Sequence, residues 1–457
     1  MMQRRLQKLP PAVRWAYPGL GVKRWLIVVI IGILLLVNGV DRYLVAEGAG
    51  VNANEWIDSF VSDYFSPSYL AWIFGLLGIA LIFIGIRQWL IAILRASTMG
   101  GRENIIETLL EMRLQQGYKV VAIGGGTGLS TLLRGLKRKT SNLTAVVTVS
   151  DDGGSSGRLQ KELGVLPPGD VRNCLVALAD DEAMVTDLFK YRFSEGEGLS
   201  GHSFGNLFLA AMSGITGNFD KAIKESSRVL NIKGRVLPST LGIVRLCARL
   251  EDGTVVEGES NISMSGQRIK QVFFDPPYAA PLAEVLDAIR EADAIVLGPG
   301  SLFTSIVPNV LVDRIAKEIA GAPGVKIYVC NVMTQPGETD GMTASDHVAA
   351  LIENAGVKIC DYAIVNDEPP SKLREAYAKE GQIPVTADVD RIRELGVTPV
   401  RAQMISETVT VRHDPEKLGE QVLGVIDRAV ARRASYVKPA RETAPDSSLT
   451  LRLRKTD

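Results

Sequence analysis

Gly124, Gly125, Gly126, Thr127 and Gly128 stand between the apolar run Val120–Ile123 and leucines at helical spacing (Leu129, Leu132, Leu133, Leu136). A glycine-rich turn from strand to helix lets backbone N–H groups approach an anion at the helix N-terminus. Thr127 and Ser130 add hydroxyl donors there, which favours phosphate. The run departs from the dinucleotide fingerprint: starting at Gly124, G-x-G-x-x-G needs a glycine where the chain has Leu129. Nor does the Gly-Lys-Ser/Thr of a P-loop follow it. A second apolar run, Ala145–Val149, ends in Ser150, Asp151 and Asp152. Carboxylates at a strand end can cap a helix, bind a ribose hydroxyl, or hold Mg²⁺ with water.

Four further polar clusters follow. Gly153, Gly154, Ser155, Ser156, Gly157 and Arg158 read as a flexible loop whose hydroxyls and cation suit a sugar or diphosphate. Asp170, Arg172 and Asn173 lie at a predicted helix start, where the first two pair with each other or with a ligand. His202, Ser203 and Asn206 precede another predicted helix. Ser203 is placed to cap it and Asn206 to project toward a cleft. G-H-S-F-G has the G-x-S-x-G spacing, but a serine hydrolase is disfavoured because no obvious strand leads into Ser203 as a nucleophile elbow requires. Gly298, Gly300 and Ser301 follow the strand candidate Ala294–Leu297, with Asn309 beyond them, and Asn331 and Thr334 follow the next strand. In an open α/β sheet ligands bind beyond the carboxyl ends of strands, so one cleft lined by several such ends is expected.

These runs also carry a resemblance. K-V-V-A-I-G-G-G-T-G-L-S, V-V-T-V-S-D-D-G-G-S-S-G-R, G-L-S-G-H-S-F-G-N, L-G-P-G-S-L-F-T-S and C-N-V-M-T-Q-P-G-E-T-D-G recur here in family order. They resemble the YvcK/CofD family, and within it the YvcK-like gluconeogenesis factors of bacteria. The resemblance covers roughly Lys119 to Arg432 and leaves out the first hundred residues. It implies a regulatory protein that binds a UDP-sugar, UDP-N-acetylglucosamine in particular, and links carbon metabolism to cell-wall synthesis and cell shape. Cell-wall synthesis proteins are the partners it suggests. The other branch implies a Mg²⁺-dependent transferase that moves a phospholactyl group onto a deazaflavin. The family's final charged pair falls at Arg412 and His413, which either close over the ligand or form solvated surface. A homo-oligomer is expected, and no turnover, since no nucleophile–base constellation surrounds His202.

The elements that must position these groups alternate. Strand candidates Ala145–Val149, Ala294–Leu297, Lys326–Asn331 and Tyr362–Val365 are interleaved with helical patterns such as Phe204–Ser213, Val310–Ile319 and Ala344–Ala355. That order predicts a Rossmann-like, doubly wound and mostly parallel sheet over residues 119–434. A β-rich insertion is expected at about 241–274, and a disordered tail over 435–457.

Residues 1–98 are a different material. All five tryptophans lie there, and two apolar stretches, about 25–44 and 69–94, are each long enough to cross a bilayer. Arg4, Arg5, Lys8, Arg14, Lys23 and Arg24 precede the first with no acidic residue among them. Between their uncharged cores, Trp25–Val40 and Tyr69–Ile86, five acidic residues (Asp41, Glu47, Glu55, Asp58, Asp63) outnumber Arg42, and Arg87, Arg95 and Arg102 follow the second core. The excess of cations at the outer flanks predicts an inner-membrane hairpin with both chain ends in the cytoplasm. Residues 99–118 read as a linker and a short amphipathic helix. Lysine plus arginine and aspartate plus glutamate both total 51, so nothing suggests general nucleic-acid binding. The four cysteines are isolated and the three histidines scattered, which argues against zinc.

Overall fold

The structure is a computed structural model that describes residues 22–46, 67–97, 112–180, 182–407 and 410–436. It divides into two compact units at Glu111/Met112. The first holds helices α1 (Val22–Ala46) and α2 (Pro67–Ser97). Within them Trp25–Val45 and Tyr69–Ile91 have mean hydropathies of 2.0 and 2.4, and both are long and apolar enough to cross a membrane. The helices pack backbone to backbone: a Cβ added at Gly39 would lie 2.7 Å from the Gly75 nitrogen. Small residues at the contact permit that approach. Arg42 is buried between the helices, donating to Asn38 Oδ1 at 2.9 Å and lying over the Phe74 ring. The loop between the helices, most of the 99–118 linker and the 437–457 tail lie outside the described residues.

The second unit is built on seven parallel strands in the order β10-β9-β8-β7-β1-β2-β3. They are β1 (Val120–Gly124), β2 (Leu143–Val147), β3 (Arg235–Pro238), β7 (Ala294–Leu297), β8 (Val325–Val329), β9 (Tyr362–Asn366) and β10 (Thr398–Ala402). All residues of β1, β2 and β7 are buried, as a sheet covered on both faces requires. Alternate side chains serve opposite layers: Val121, Ile123, Ile295 and Leu297 join one core, and Val120, Ala122, Ala294 and Val296 the other. The chain runs outward from β1 through β2 to β3, then returns to place β7 on the other flank of β1. The topological switch point therefore lies between β1 and β7.

β4 (Arg245–Leu250), β5 (Val255–Glu257) and β6 (Ile269–Asp275) form a separate antiparallel sheet, the expected insertion. A short hairpin, β11 (Ile405–Glu407) with β12 (Val411–His413), precedes the last helix.

Two local expectations need correction. The Gly153–Arg158 segment is no loop: it opens a helix, α4 (Gly154–Leu163), with Ser155, Ser156 and Gly157 buried. Gly157 permits this, because a Cβ there would meet the Asp152 carbonyl oxygen at 1.9 Å. The single helix expected over Val310–Ile319 is broken. A π-helical turn (Leu302–Ile306) runs into Val307–Leu311, and a new helix begins at Ile315 after Arg314 takes a left-handed φ of 64°. The neighbouring Asp313 amide docks on the Ala279 carbonyl, which holds the break in place.

Candidate functional site

The switch point carries a cleft of about 500 Å³. On one side, Gly125 caps helix α3 (Gly126–Leu136), and Gly126, Thr127, Gly128 and Thr131 line the cleft. First-turn amides have no intrahelical acceptor, so this end of α3 offers N–H groups to an anion. Gly126 has a φ of +63°, the left-handed region that glycine tolerates. Facing it is the loop after β7, where Pro299, Gly300 and Ser301 line the cleft. A Cβ on Gly128 would meet the Pro299 carbonyl oxygen at 2.5 Å, so the two loops touch.

The second loop is braced from β8. Asn331 accepts from the Gly300 amide at 3.2 Å and donates to the Gly300 carbonyl at 2.8 Å, and Gln335 donates to Ser301 Oγ at 2.7 Å. Asn309, fully buried, donates to the carbonyls of Gly124 and Ser305 from beneath the first loop. It supports the cleft without lining it, as do Gly124 and Gly298.

Acidic groups gather at one end. Asp170, second residue of helix α5 (Gly169–Leu178), lines the cleft beside the Gly126 amide. Burial first, and Asp151 second, push its carboxyl up to about 7, partly offset by the Gly126 amide and Arg172. Glu259 opens the short helix α6 (Glu259–Met264) of the insertion and reaches the same cleft. Burial, then Asp151, Asp170, Glu338 and Asp152, hold its carboxyl far above the usual range. Asp151 and Asp152 stand just behind. Asp151 accepts the Gly153 amide at 2.9 Å, and Asp152 accepts the Ser260 amide at 3.0 Å, capping α6. Arg412 is the one lysine or arginine lining the cleft among the described residues. Burial lowers neighbouring His413 to about 4, which keeps it neutral.

Of the residues singled out in the sequence, Gly125, Gly126, Thr127, Gly128, Asp170, Asn173, Gly300, Ser301, Asn331, Thr334 and Arg412 line this cleft. Ser155, Ser156, Arg172, His202, Ser203 and Asn206 are outside its lining and hydrogen-bond to one another in the wall behind Asn173. Ser203 does cap its helix, α7 (Phe204–Thr216), by accepting from the Asn206 amide. Arg158 points to the surface, donating to the Ser200 carbonyl at 3.0 Å. Sequence reasoning missed Glu259, Tyr377 and Gln382, all of which line the cleft. All three arrive from segments with no motif of their own, whereas Ser305, which continues the second glycine loop, lines the cleft with it.

The family profile described as 2-phospho-L-lactate transferase CofD matches residues 120–405. The chain belongs to the CofD family. Within that family it is similar to the gluconeogenesis factor of Bacillus subtilis, 51% identical over 310 residues that span 67% of this chain and 98% of that protein. The gluconeogenesis factor of Halalkalibacterium halodurans is 52% identical over 306 residues, 66% of this chain and 95% of that one. A Nostoc sp. relative of the same kind is 46% identical over 422 residues, 90% of this chain and 91% of its own length. A crystal structure of a UPF0052-family protein from Bacillus halodurans has a TM-score of 0.65 at 51% identity and covers 67% of this chain and 99% of its own.

Proposed function

We propose that the cleft binds a nucleotide sugar, UDP-N-acetylglucosamine, and that the protein is a membrane-anchored regulator that reports occupancy instead of turning the ligand over. The observation that carries this reading is the pair of glycine loops facing each other across the switch point, with the open end of α3 between them. Two phosphates fit such a cradle, Arg412 supplies a counter-charge, and Thr334, Gln382 and Tyr377 offer hydroxyl, amide and ring to the remainder. Asp170 and Glu259 would repel a diphosphate, so a divalent cation belongs with it. Mg²⁺ suits such a place, since it takes one or two carboxylates together with ligand phosphates. Asp151 and Asp170 are the pair assigned here, while Asp152 braces Glu259 through α6. Among the described residues no three acidic, histidine or cysteine side chains are placed to hold an ion by themselves, so the metal would enter with the ligand.

The two apolar helices anchor the domain at the inner face of the cell membrane, with both chain ends in the cytoplasm and near the cell-wall synthesis proteins it would regulate. The gluconeogenesis-factor name of the relatives supports the link to carbon metabolism. Thermal shift of the chain with UDP-N-acetylglucosamine, GDP, GTP and NAD, each with and without Mg²⁺, tests the reading. The UDP-sugar with Mg²⁺ should raise the melting temperature most, by mass action. A response to guanine nucleotides alone would transfer support to the second reading, a phospholactate transferase, which the family profile's description favours. Product formation from deazaflavin and guanylylated phospholactate, followed by mass spectrometry, would establish that alternative.

A further inference from the structure

The side chains of the G-H-S-F-G-N run bond inside the protein, yet the partners they hold end at the cleft. Arg172 donates through Nη1 to Ser203 Oγ (2.7 Å) and Asn206 Oδ1 (2.9 Å), and through Nη2 to Asn173 Oδ1 (2.9 Å). Asn206 Nδ2 donates to Ser155 Oγ at 3.1 Å, and Ser155 Oγ lies 2.9 Å from His202 Nδ1. His202, Ser203 and Asn206 are each at most 2% exposed. Burial, with Arg158 nearby, lowers the histidine's affinity for a second proton, so the ring is neutral at pH 7. With Ser155 accepting from Asn206, its hydroxyl proton goes to His202 Nδ1, and Nε2 carries the ring proton. The bonds thus run in one direction, from the Arg172 cation to the imidazole. One end is Asn173, in the cleft lining. The other is the first turn of α4, three residues after Asp152.

This arrangement has mechanical work to do. The starts of α4 and α5 are in contact: a Cβ added at Gly169 would lie 2.6 Å from Ser156 Oγ and 2.9 Å from Asp151 Oδ2. We propose that His202, Ser203 and Asn206 are positioning residues that clamp α4 to α5 through Ser155 and Arg172, fixing Asp151 and Asn173 at the cleft without touching the ligand. The inference rests on the nucleotide-sugar reading for its ligand, but not for its geometry.

The test uses the full chain in detergent. Asparagine at 202 can place its Oδ1 near the position of Nδ1 and keep the bond to Ser155; alanine cannot. His202→Ala should weaken UDP-N-acetylglucosamine binding about tenfold, and His202→Asn should recover most of that loss. Ser155→Ala, which removes that bond together with the one from Asn206, should cost at least as much as His202→Ala. Because the effect travels partly through Asn173, His202→Ala should cost less in an Asn173→Ala background than alone. Strictly additive losses, or an affinity indifferent to all three variants, would overturn the clamp. If the unaltered chain binds no UDP-sugar, the ligand reading fails, and hydrogen exchange of the ligand-free chain still decides the clamp. His202→Ala should speed exchange at 151–158 and 170–174 while β8 stays protected; unchanged exchange there would refute it.

Discussion

Asp170→Asn should make the empty protein more stable and a poorer binder. The carboxyl's shift from 3.8 to about 7 means the fold disfavours its charged form. A displacement of that size corresponds to roughly 4 kcal/mol at full ionisation. The cleft admits water, which screens the charge, so about 2 kcal/mol is the expected gain. The sign follows from linkage. With the folded value raised, ionising Asp170 costs the native state stability progressively as pH climbs from about 4 to about 7. The variant's advantage should be near zero at pH 4, grow through that window and level off above it. Asparagine keeps the side chain's shape and an acceptor for the Gly126 amide, so packing should not confound the comparison. The assay is thermal or urea unfolding of both proteins in EDTA across pH 4 to 8, read as a rise of a few degrees in Tm at pH 7.5. Adding Mg²⁺ with UDP-N-acetylglucosamine should stabilise the parent more than the variant, reversing the order. A variant no more stable than its parent in EDTA at pH 7.5 would refute the claim that Asp170 is held there at a cost.

Gly128→Ala should abolish ligand binding and lower stability by about 1–3 kcal/mol, since its Cβ would press on the Pro299 carbonyl oxygen at 2.5 Å; calorimetry and a melt read both. Gly126→Val should instead unfold at markedly lower temperature, because a β-branched side chain tolerates the +63° φ poorly; a melt identical to the parent's would contradict that geometry. Arg412→Ala, at an exposed strand position, should cut UDP-sugar affinity about tenfold with Tm unchanged, as loss of a charge-assisted bond predicts. Reporter fusions at Gly50 and at the C-terminus should place the first outside and the second inside the cell; a C-terminus outside would end the anchored-regulator reading.

The two apolar helices, the parallel sheet and both glycine loops were legible in the chain because each is written locally. Twenty-odd apolar residues, a short buried run, and a glycine that must turn or be approached closely all announce themselves without reference to distant residues. The serine-rich start of α4 misled for the same reason, since glycine and serine mark turns unless tertiary burial holds them in a helix. Only the tertiary structure decided which polar groups face the cleft. Asn309 and the His202 cluster share composition with ligand-binding residues, but their hydrogen bonds are taken by distant backbone and side chains. Glu259, Tyr377 and Gln382 carry no motif and reach the cleft only because the insertion and the segment before β10 fold back over the strand ends. A hydrogen-bonding side chain is defined by its partner, and for these residues the partner lies far along the chain. The local pattern therefore specified where a ligand could sit, and the packing of remote segments selected the atoms that would meet it.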